Sequence, residues 1–243
     1  MSFLPPRLQP LPPLPVRAWN LVLLVLVFVV GFLTIGFLAS GLFPGGAITG
    51  LLPTLALFAG QSVFLLTMAW LLVLRPHHLR LADIGLRPTY PAWYRLAVAG
   101  GLLCVPIVSL VNLAVQSLLG GPVENPQLQA LAPEGFSWSS LIGMLLLVGV
   151  VVPFVEEIVF RGLIFGWLRK HLRFAYAAPI SAVVFAVVHA IPMLMPPLAL
   201  MGLLLAAVVE RSGSLWPAII LHGVFNSVMT ITYYTALAAS AAV

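Results

Sequence analysis

The sequence predicts an all-α protein, a polytopic bundle of about seven transmembrane helices. Of its 243 residues, 62% are hydrophobic and 7% are charged, whereas a soluble domain carries about 25% charged residues. The apolar residues form long runs, and about 20 apolar residues suffice for a helix to cross a bilayer. The lipid bilayer is therefore the first predicted partner. Nucleic acid is excluded, because the net charge of +5 is not gathered into a dense basic stripe.

Seven apolar segments are predicted to span the membrane, after a proline-rich, cytoplasmic N-terminal segment at residues 1–18. The run that begins at Trp19 is too long for the core of a signal peptide, so it is interpreted as a retained first span. Three spans fall within 19–119, an external loop covers 120–137, and the remaining spans lie in 138–243. The individual segments are 19–43, 48–74, 92–119, 138–168, 175–191, 197–210 and 215–240.

The charges of the loops support this layout. The basic residues outside the spans precede span one or lie between spans two and three, four and five, or six and seven. The alternate loops contain no lysine or arginine, and one of them holds Glu124 and Glu134. The positive-inside rule then predicts a cytoplasmic N-terminus and an external C-terminus. The short chain favours a bacterial inner membrane. The basic loop residues are Arg7, Arg17, Arg75, Arg80, Arg87, Arg95, Arg169, Lys170, Arg173 and Arg211.

A few polar residues remain inside the predicted spans, and they are the candidates for function. A charged side chain at the centre of a membrane helix costs roughly 2.5–3.5 kcal/mol, so such residues are functional candidates by default. The candidates are Glu156, Glu157, Arg161, His189, His222 and Asn226.

Helical spacing separates the two adjacent acids. Glu157 and Arg161 are four residues apart, with the acid first, which favours an ion pair on one face of a helix. Glu156 points about 100° away, and no basic residue lies one turn from it. Glu157 and Arg161 are therefore interpreted as a structural pair, and Glu156 as the acid available for chemistry. Pro153 removes one helical hydrogen bond nearby and either opens the backbone or is a tolerated kink.

The other candidates come from the later spans. His189 follows Phe185 by one helical turn within the predicted fifth span. His222 and Asn226 lie four residues apart and share one face of the last helix, and Gly223 permits close backbone approach. The helical rise places Glu156, His189 and Asn226 about 17–21 Å from the basic ends of their spans, and His222 about 11 Å. These depths predict one site within the membrane.

Such a set of residues suits the hydrolysis of an amide bond. A carboxylate and an imidazole around one water form a general base with an orienting partner, and a second histidine and an asparagine can stabilise an oxyanion. Glu156, His189 and His222 also have the donor types of a zinc site, although the HExxH pattern is absent. The simpler alternatives are a packing role for each histidine and a helix-bridging role for Asn226.

Three short motifs resemble the CPBP family of intramembrane proteases, also called the CAAX protease or bacteriocin-processing ("Abi"-type) family. EExxxR covers residues 156–161, FxxxH covers 185–189 and HxxxN covers 222–226. The run RSGSLWPAIILH before the third motif is similar to the family, as is LADIGLRP after span two. The motifs lie in this order on apolar segments within roughly 150–230.

The resemblance implies a glutamic-type endopeptidase whose catalytic core is residues 138–243. Glu156 would activate water with the help of His189, while His222 and Asn226 would stabilise the oxyanion. Glu157 and Arg161 would support the site. No cofactor is expected, and a metal held by Glu156, His189 and His222 is the less favoured alternative. The substrate would be a peptide or protein at the membrane, such as a prenylated tail or a leader peptide.

Two other functions fit the same residues. A non-proteolytic immunity or scaffold protein of the membrane is the main alternative. A proton-coupled transporter also uses glutamate and histidine within the membrane, but no internal repeat is evident, and the polar residues cluster in the last four spans.

Overall fold

The computed structural model describes residues 5–9, 14–42, 50–121, 132 and 135–241. The described residues form helices and contain no β-strand, which confirms the all-α class. The seven long helices are α1 (Ala18–Leu42), α2 (Leu51–Leu74), α3 (Pro91–Leu118), α4 (Trp138–His171), α5 (Phe174–Val187), α6 (Met195–Ser212) and α7 (Trp216–Ala241). A single 3₁₀ turn, Pro192–Leu194, leads into α6.

Each predicted span overlaps one of these helices. By length and apolar composition, four stretches of the described residues are able to cross a membrane: α2, α3, α4 and Pro192–Ser212. The fifth span was predicted too long, because α5 ends at Val187 after 14 residues rather than continuing to residue 191. Fourteen residues rise only about 21 Å, less than the ~30 Å hydrocarbon core.

Helix α4 alternates between α-helical and wider π-helical turns. Leu147–Val151 and Glu157–Phe165 are π-helical, and the short α-helical segment Val152–Glu156 lies between them. Pro153 has no N–H, so it cannot donate to the carbonyl of Gly149, its acceptor in a regular helix. Such π-helical turns often occur at functional sites. Glu156 and Glu157 lie at the junction of two backbone geometries.

Helix α7 packs closely against α3 and α4 because glycines line the contacts. A Cβ added to Gly223 would lie 2.5 Å from the carbonyl oxygen of Gly149 in α4. A Cβ added to Gly101 in α3 would lie 2.7 Å from the carbonyl oxygen of Leu221. The close approach predicted at Gly223 is confirmed. The buried α4–α7 contact brings residues of the first and third motifs together.

The basic segments of the chain meet at one end of the bundle, here called the basic end. Residues 5–9 and 14–17, here called the N-terminal strap, lie across it. The indole nitrogen of Trp93 donates to the carbonyl of Pro6 at 2.9 Å, and that of Trp167 donates to the carbonyl of Val16 at 3.0 Å. The first turn of α3 and the end of α4 therefore lie at the same end, as the charge pattern predicted. Most of the predicted external loop 120–137, with Glu124 and Glu134, lies outside the described residues.

Candidate active site

The predicted pair of Glu157 and Arg161 is confirmed, and both side chains are fully buried. Nη1 of Arg161 donates to Oε1 of Glu157 at 3.0 Å. Nη2 reaches the carbonyl of Gly202 in α6 at 3.4 Å, and the guanidinium lies 4.3 Å from the ring centroid of Phe185 in α5. Removing one partner of a buried ion pair leaves an uncompensated charge. Through these contacts of Arg161, the pair joins α4, α5 and α6.

His222 contacts both acids of the first motif. Its Nδ1 lies 3.1 Å from Oε1 of Glu157, and its Nε2 lies 3.8 Å from Oε2 of Glu156. The contact with Glu157 was not predicted, because Glu157 was interpreted only as the partner of Arg161. The two residues are 65 positions apart, and helical spacing carries no information about such a contact.

The carboxylate of Glu156 faces two imidazoles. Oε1 lies 3.9 Å from Nε2 of His189, and Oε2 lies 3.8 Å from Nε2 of His222. These distances exceed those of direct hydrogen bonds, so the carboxylate and the two imidazoles are close neighbours that are not bonded to one another. The Glu156 side chain is 18% exposed, whereas that of Glu157 is fully buried. The convergence predicted for Glu156, His189 and His222 is confirmed.

The partners of the two Nδ1 atoms determine the tautomers of both histidines. Nδ1 of His189 lies 2.7 Å from the carbonyl oxygen of Phe185, which only accepts, so Nδ1 carries the proton. The ionised carboxylate of Glu157 likewise makes Nδ1 of His222 the donor. A neutral imidazole carries one ring proton. Both Nε2 atoms therefore present a lone pair towards Glu156.

His189 lies just beyond α5 rather than within it, which corrects its predicted position. Its side chain turns back to the carbonyl of Phe185, one of the carbonyls that the end of a helix leaves unpaired. The backbone leaves the helix through Ala190, whose φ of 56° is in the left-handed region. A non-glycine residue seldom adopts this conformation, and such strain clusters at functional sites.

Phe185 is the packing centre of the site, a role that the sequence did not reveal. Its ring centroid lies 4.8 Å from that of His189 and 6.0 Å from that of His222, with edge-on geometry in both contacts. The guanidinium of Arg161 lies over the face of the same ring in a cation–π contact, and the ring packs edge-on against Phe160. The sequence signal for Phe185 was its place as the first residue of the FxxxH motif. Its position one turn before His189 did not show that it also contacts α4 and α7.

Asn226 bridges two helices. Its Nδ2 donates to the carbonyl of Val148 at 3.1 Å, which joins α7 to the π-helical turn of α4. This bond matches the helix-bridging alternative. The same nitrogen carries a second proton, so the oxyanion role of Asn226 remains a prediction.

The metal alternative concerns the same three residues. Within the described part of the chain, no group of three or more histidine, cysteine, aspartate or glutamate side chains is arranged to hold a metal ion. The carboxylate and the two Nε2 lone pairs are nevertheless donor types that zinc accepts.

The fold and the site define a helical membrane protein with a partly buried glutamate–histidine centre, and two comparisons with known proteins match part of the chain. Residues 138–228 match the family model described as "Type II CAAX prenyl endopeptidase Rce1-like". A protein of Bacillus subtilis (strain 168), described as "Putative membrane peptidase YdiL", is 34% identical over 88 residues. That alignment covers 36% of this chain and 36% of that protein. No solved structure matches the chain significantly. Residues 138–228 thus resemble the CPBP, or CAAX protease, family, and the alignment spans about a third of the relative's own length.

Proposed function

We propose that this protein is an intramembrane endopeptidase in which Glu156 activates water to hydrolyse a peptide bond. One observation carries the proposal: the Glu156 carboxylate faces the Nε2 atoms of His189 and His222 at 3.9 and 3.8 Å. A general base positioned in this way contributes about 10²–10⁴-fold to a proton transfer. The family match at residues 138–228 supports the same reaction class.

The reaction balances with groups that are present. Glu156 takes one proton from water as the water oxygen bonds to the carbonyl carbon of the substrate. The tetrahedral intermediate then collapses, the C–N bond breaks, and protonated Glu156 returns the proton to the leaving nitrogen. His189, with its Nε2 lone pair, accepts a hydrogen bond from the same water and orients it.

The proposed oxyanion stabilisers are His222 and Asn226. His222 donates from Nε2 only when that nitrogen is protonated as well as Nδ1, and the imidazolium then shares the Glu157 carboxylate with Arg161. Asn226 donates its second amide proton while the first remains bonded to Val148. Preorganised donors of this kind lower the barrier most where water is excluded. No metal takes part in the proposed reaction.

The proposed substrate is a peptide or protein at the membrane, either a prenylated tail or a leader peptide. The proposed location is a bacterial inner membrane, with the N-terminus and the basic end on the cytoplasmic side. The positive-inside pattern and the convergence of the basic segments at one end support this orientation.

The test is peptide cleavage by purified protein in liposomes. A library of membrane-active, leader-type and prenylated peptides is incubated with wild type, Glu156→Gln and Asp83→Asn, each with and without a metal chelator. Asp83→Asn makes the same carboxylate-to-amide change in a connecting segment outside the site. We expect cleavage by wild type and Asp83→Asn, none by Glu156→Gln, and no effect of chelator.

Two other results would change the assignment. Cleavage that is lost with chelator and restored by zinc would place Glu156, His189 and His222 around a metal. Full cleavage by Glu156→Gln would remove Glu156 from the chemistry. If wild type cuts none of the peptides and Glu156→Ala retains the cellular function of the wild type, the chain acts as a binding or immunity protein.

A further inference from the structure

A second site lies at the basic end of the bundle. An open cavity of about 840 Å³ is lined by the N-terminal strap, the beginnings of α3 and α5, and the end of α6. Its size is within the 300–1,000 Å³ typical of ligand sites. About 20 Å of helix separates Glu156 from the end of α4, so the cavity is distinct from the candidate active site.

The charged wall of this cavity has an excess of arginine. Glu210 accepts two hydrogen bonds from Arg169, at 2.9 and 3.1 Å, and lies 3.4 Å from Arg7. Its single negative charge is therefore shared between two guanidinium groups. Arg211 lines the same cavity, is exposed, and has no ion-pair or hydrogen-bond partner recorded among the described residues. Arg7 and Arg211 thus outnumber the one carboxylate that lines the cavity, and this excess of positive charge favours an anionic ligand.

One wall of the cavity is aromatic. Trp93 and Phe174 line the cavity together with Ala207. The indole N–H of Trp93 is already bonded to the carbonyl of Pro6 and the residue is largely buried, so most of the accessible aromatic surface belongs to Phe174. Phe174 lies at the first turn of α5, where the helix enters its apolar run. Aromatic rings and arginines combined at the ends of membrane helices are typical of the headgroup layer.

We propose that this cavity binds an anionic phospholipid. Its phosphate would contact Arg211 and Arg7, and its glycerol and first acyl carbons would lie against Phe174 and Trp93. A free phosphate would leave the aromatic wall without a contact, which is why a lipid is favoured. Basic pockets between membrane helices bind phospholipid headgroups in this way. The proposal does not depend on the protease activity.

The experiment is native mass spectrometry of the full-length protein, purified in detergent and supplied with phosphatidylglycerol or phosphatidylcholine. Arg211→Gln is compared with Arg95→Gln, which removes an equally exposed arginine two positions beyond Trp93 on α3, outside the cavity. We expect wild type to retain phosphatidylglycerol preferentially. One arginine near a headgroup contributes about 1 kcal/mol, so Arg211→Gln should lower that retention about fivefold. Arg95→Gln should retain the lipid as wild type does.

Three results would overturn the proposal. Equal retention of the two lipids would mean that the site does not select negative charge. If Arg95→Gln and Arg211→Gln lost phosphatidylglycerol retention equally, the overall surface charge and not the cavity would explain the binding. Displacement of phosphatidylglycerol by micromolar inorganic phosphate would identify free phosphate as the ligand. A thermal melt of each variant checks that lost binding is not lost folding.

Discussion

Nδ1 of His222 lies 3.1 Å from Oε1 of Glu157, and this contact joins the structural pair to the proposed catalytic centre. The same oxygen accepts from Arg161 at 3.0 Å. Glu157 therefore neutralises Arg161 and fixes the tautomer of His222 with one atom. The other oxygen, Oε2, is buried and has no hydrogen-bond partner among the residues that the structure describes. A change at Glu157 or Arg161 is thus expected to affect both stability and cleavage.

Arg161→Ala should destabilise the fold strongly. Both side chains of the pair are fully buried, and removing one partner of such a pair costs about 3–5 kcal/mol. Unfolding by a denaturing detergent, followed by circular dichroism, measures the change. The control is Arg80→Ala, which breaks the exposed Arg80–Asp83 pair. In that pair the hydrogen bond from Arg80 lowers the pKa of Asp83. An Arg161→Ala protein as stable as the Arg80→Ala protein would contradict the structural role of the pair.

His189→Asn and His189→Gln distinguish the roles of the two ring nitrogens of His189. The asparagine amide reproduces Nδ1, which faces the carbonyl of Phe185, but it does not extend to the position of Nε2. The glutamine amide reaches that position. We expect His189→Asn to keep stability and lose about 10²-fold or more in kcat, with a smaller loss for His189→Gln. Peptide cleavage rates and thermal melts measure both properties. Full activity in both variants would exclude His189 from the chemistry.

Asn226→Ala distinguishes an oxyanion donor from a helix bridge. Loss of the bond to Val148 should cost about 0.6–2 kcal/mol, as interhelical hydrogen bonds in membranes do. Loss of an oxyanion donor should lower kcat about 10²–10³-fold, with KM little changed. The control is Thr230→Val, because Thr230 Oγ1 bonds only within α7, to the carbonyl of Asn226, at 2.8 Å. A stability loss with unchanged kcat would assign Asn226 to helix bridging alone.

Gly223→Ala should separate α7 from α4. The added Cβ would lie 2.5 Å from the carbonyl oxygen of Gly149, and overpacking of this kind costs about 1–3 kcal/mol. His222 is the adjacent residue, so cleavage should fall together with stability. The control is Gly60→Ala in α2, where nothing lies within 4 Å of the added Cβ and alanine favours the helix by about 1 kcal/mol. Equal melting temperatures for the two variants would contradict the close packing.

The sequence by itself determined the membrane helices and the Glu157–Arg161 pair. Long apolar runs require helices in a bilayer, and residues four apart in one helix are neighbours in any tertiary arrangement. The loop charges also predicted that the basic segments meet at one end. The motifs identified the four proposed catalytic residues, although their roles remain predictions.

Only the tertiary structure decided how those residues face one another. The contact of His222 with Glu157 spans 65 residues, and that of Asn226 with Val148 spans 78. Helix α5 ends early and leaves His189 in a turn, where Phe185 packs against α4 and α7. The cavity beneath the N-terminal strap is likewise lined by residues from four separate segments of the chain. Helical periodicity describes one helix at a time, whereas these contacts depend on how separate helices pack.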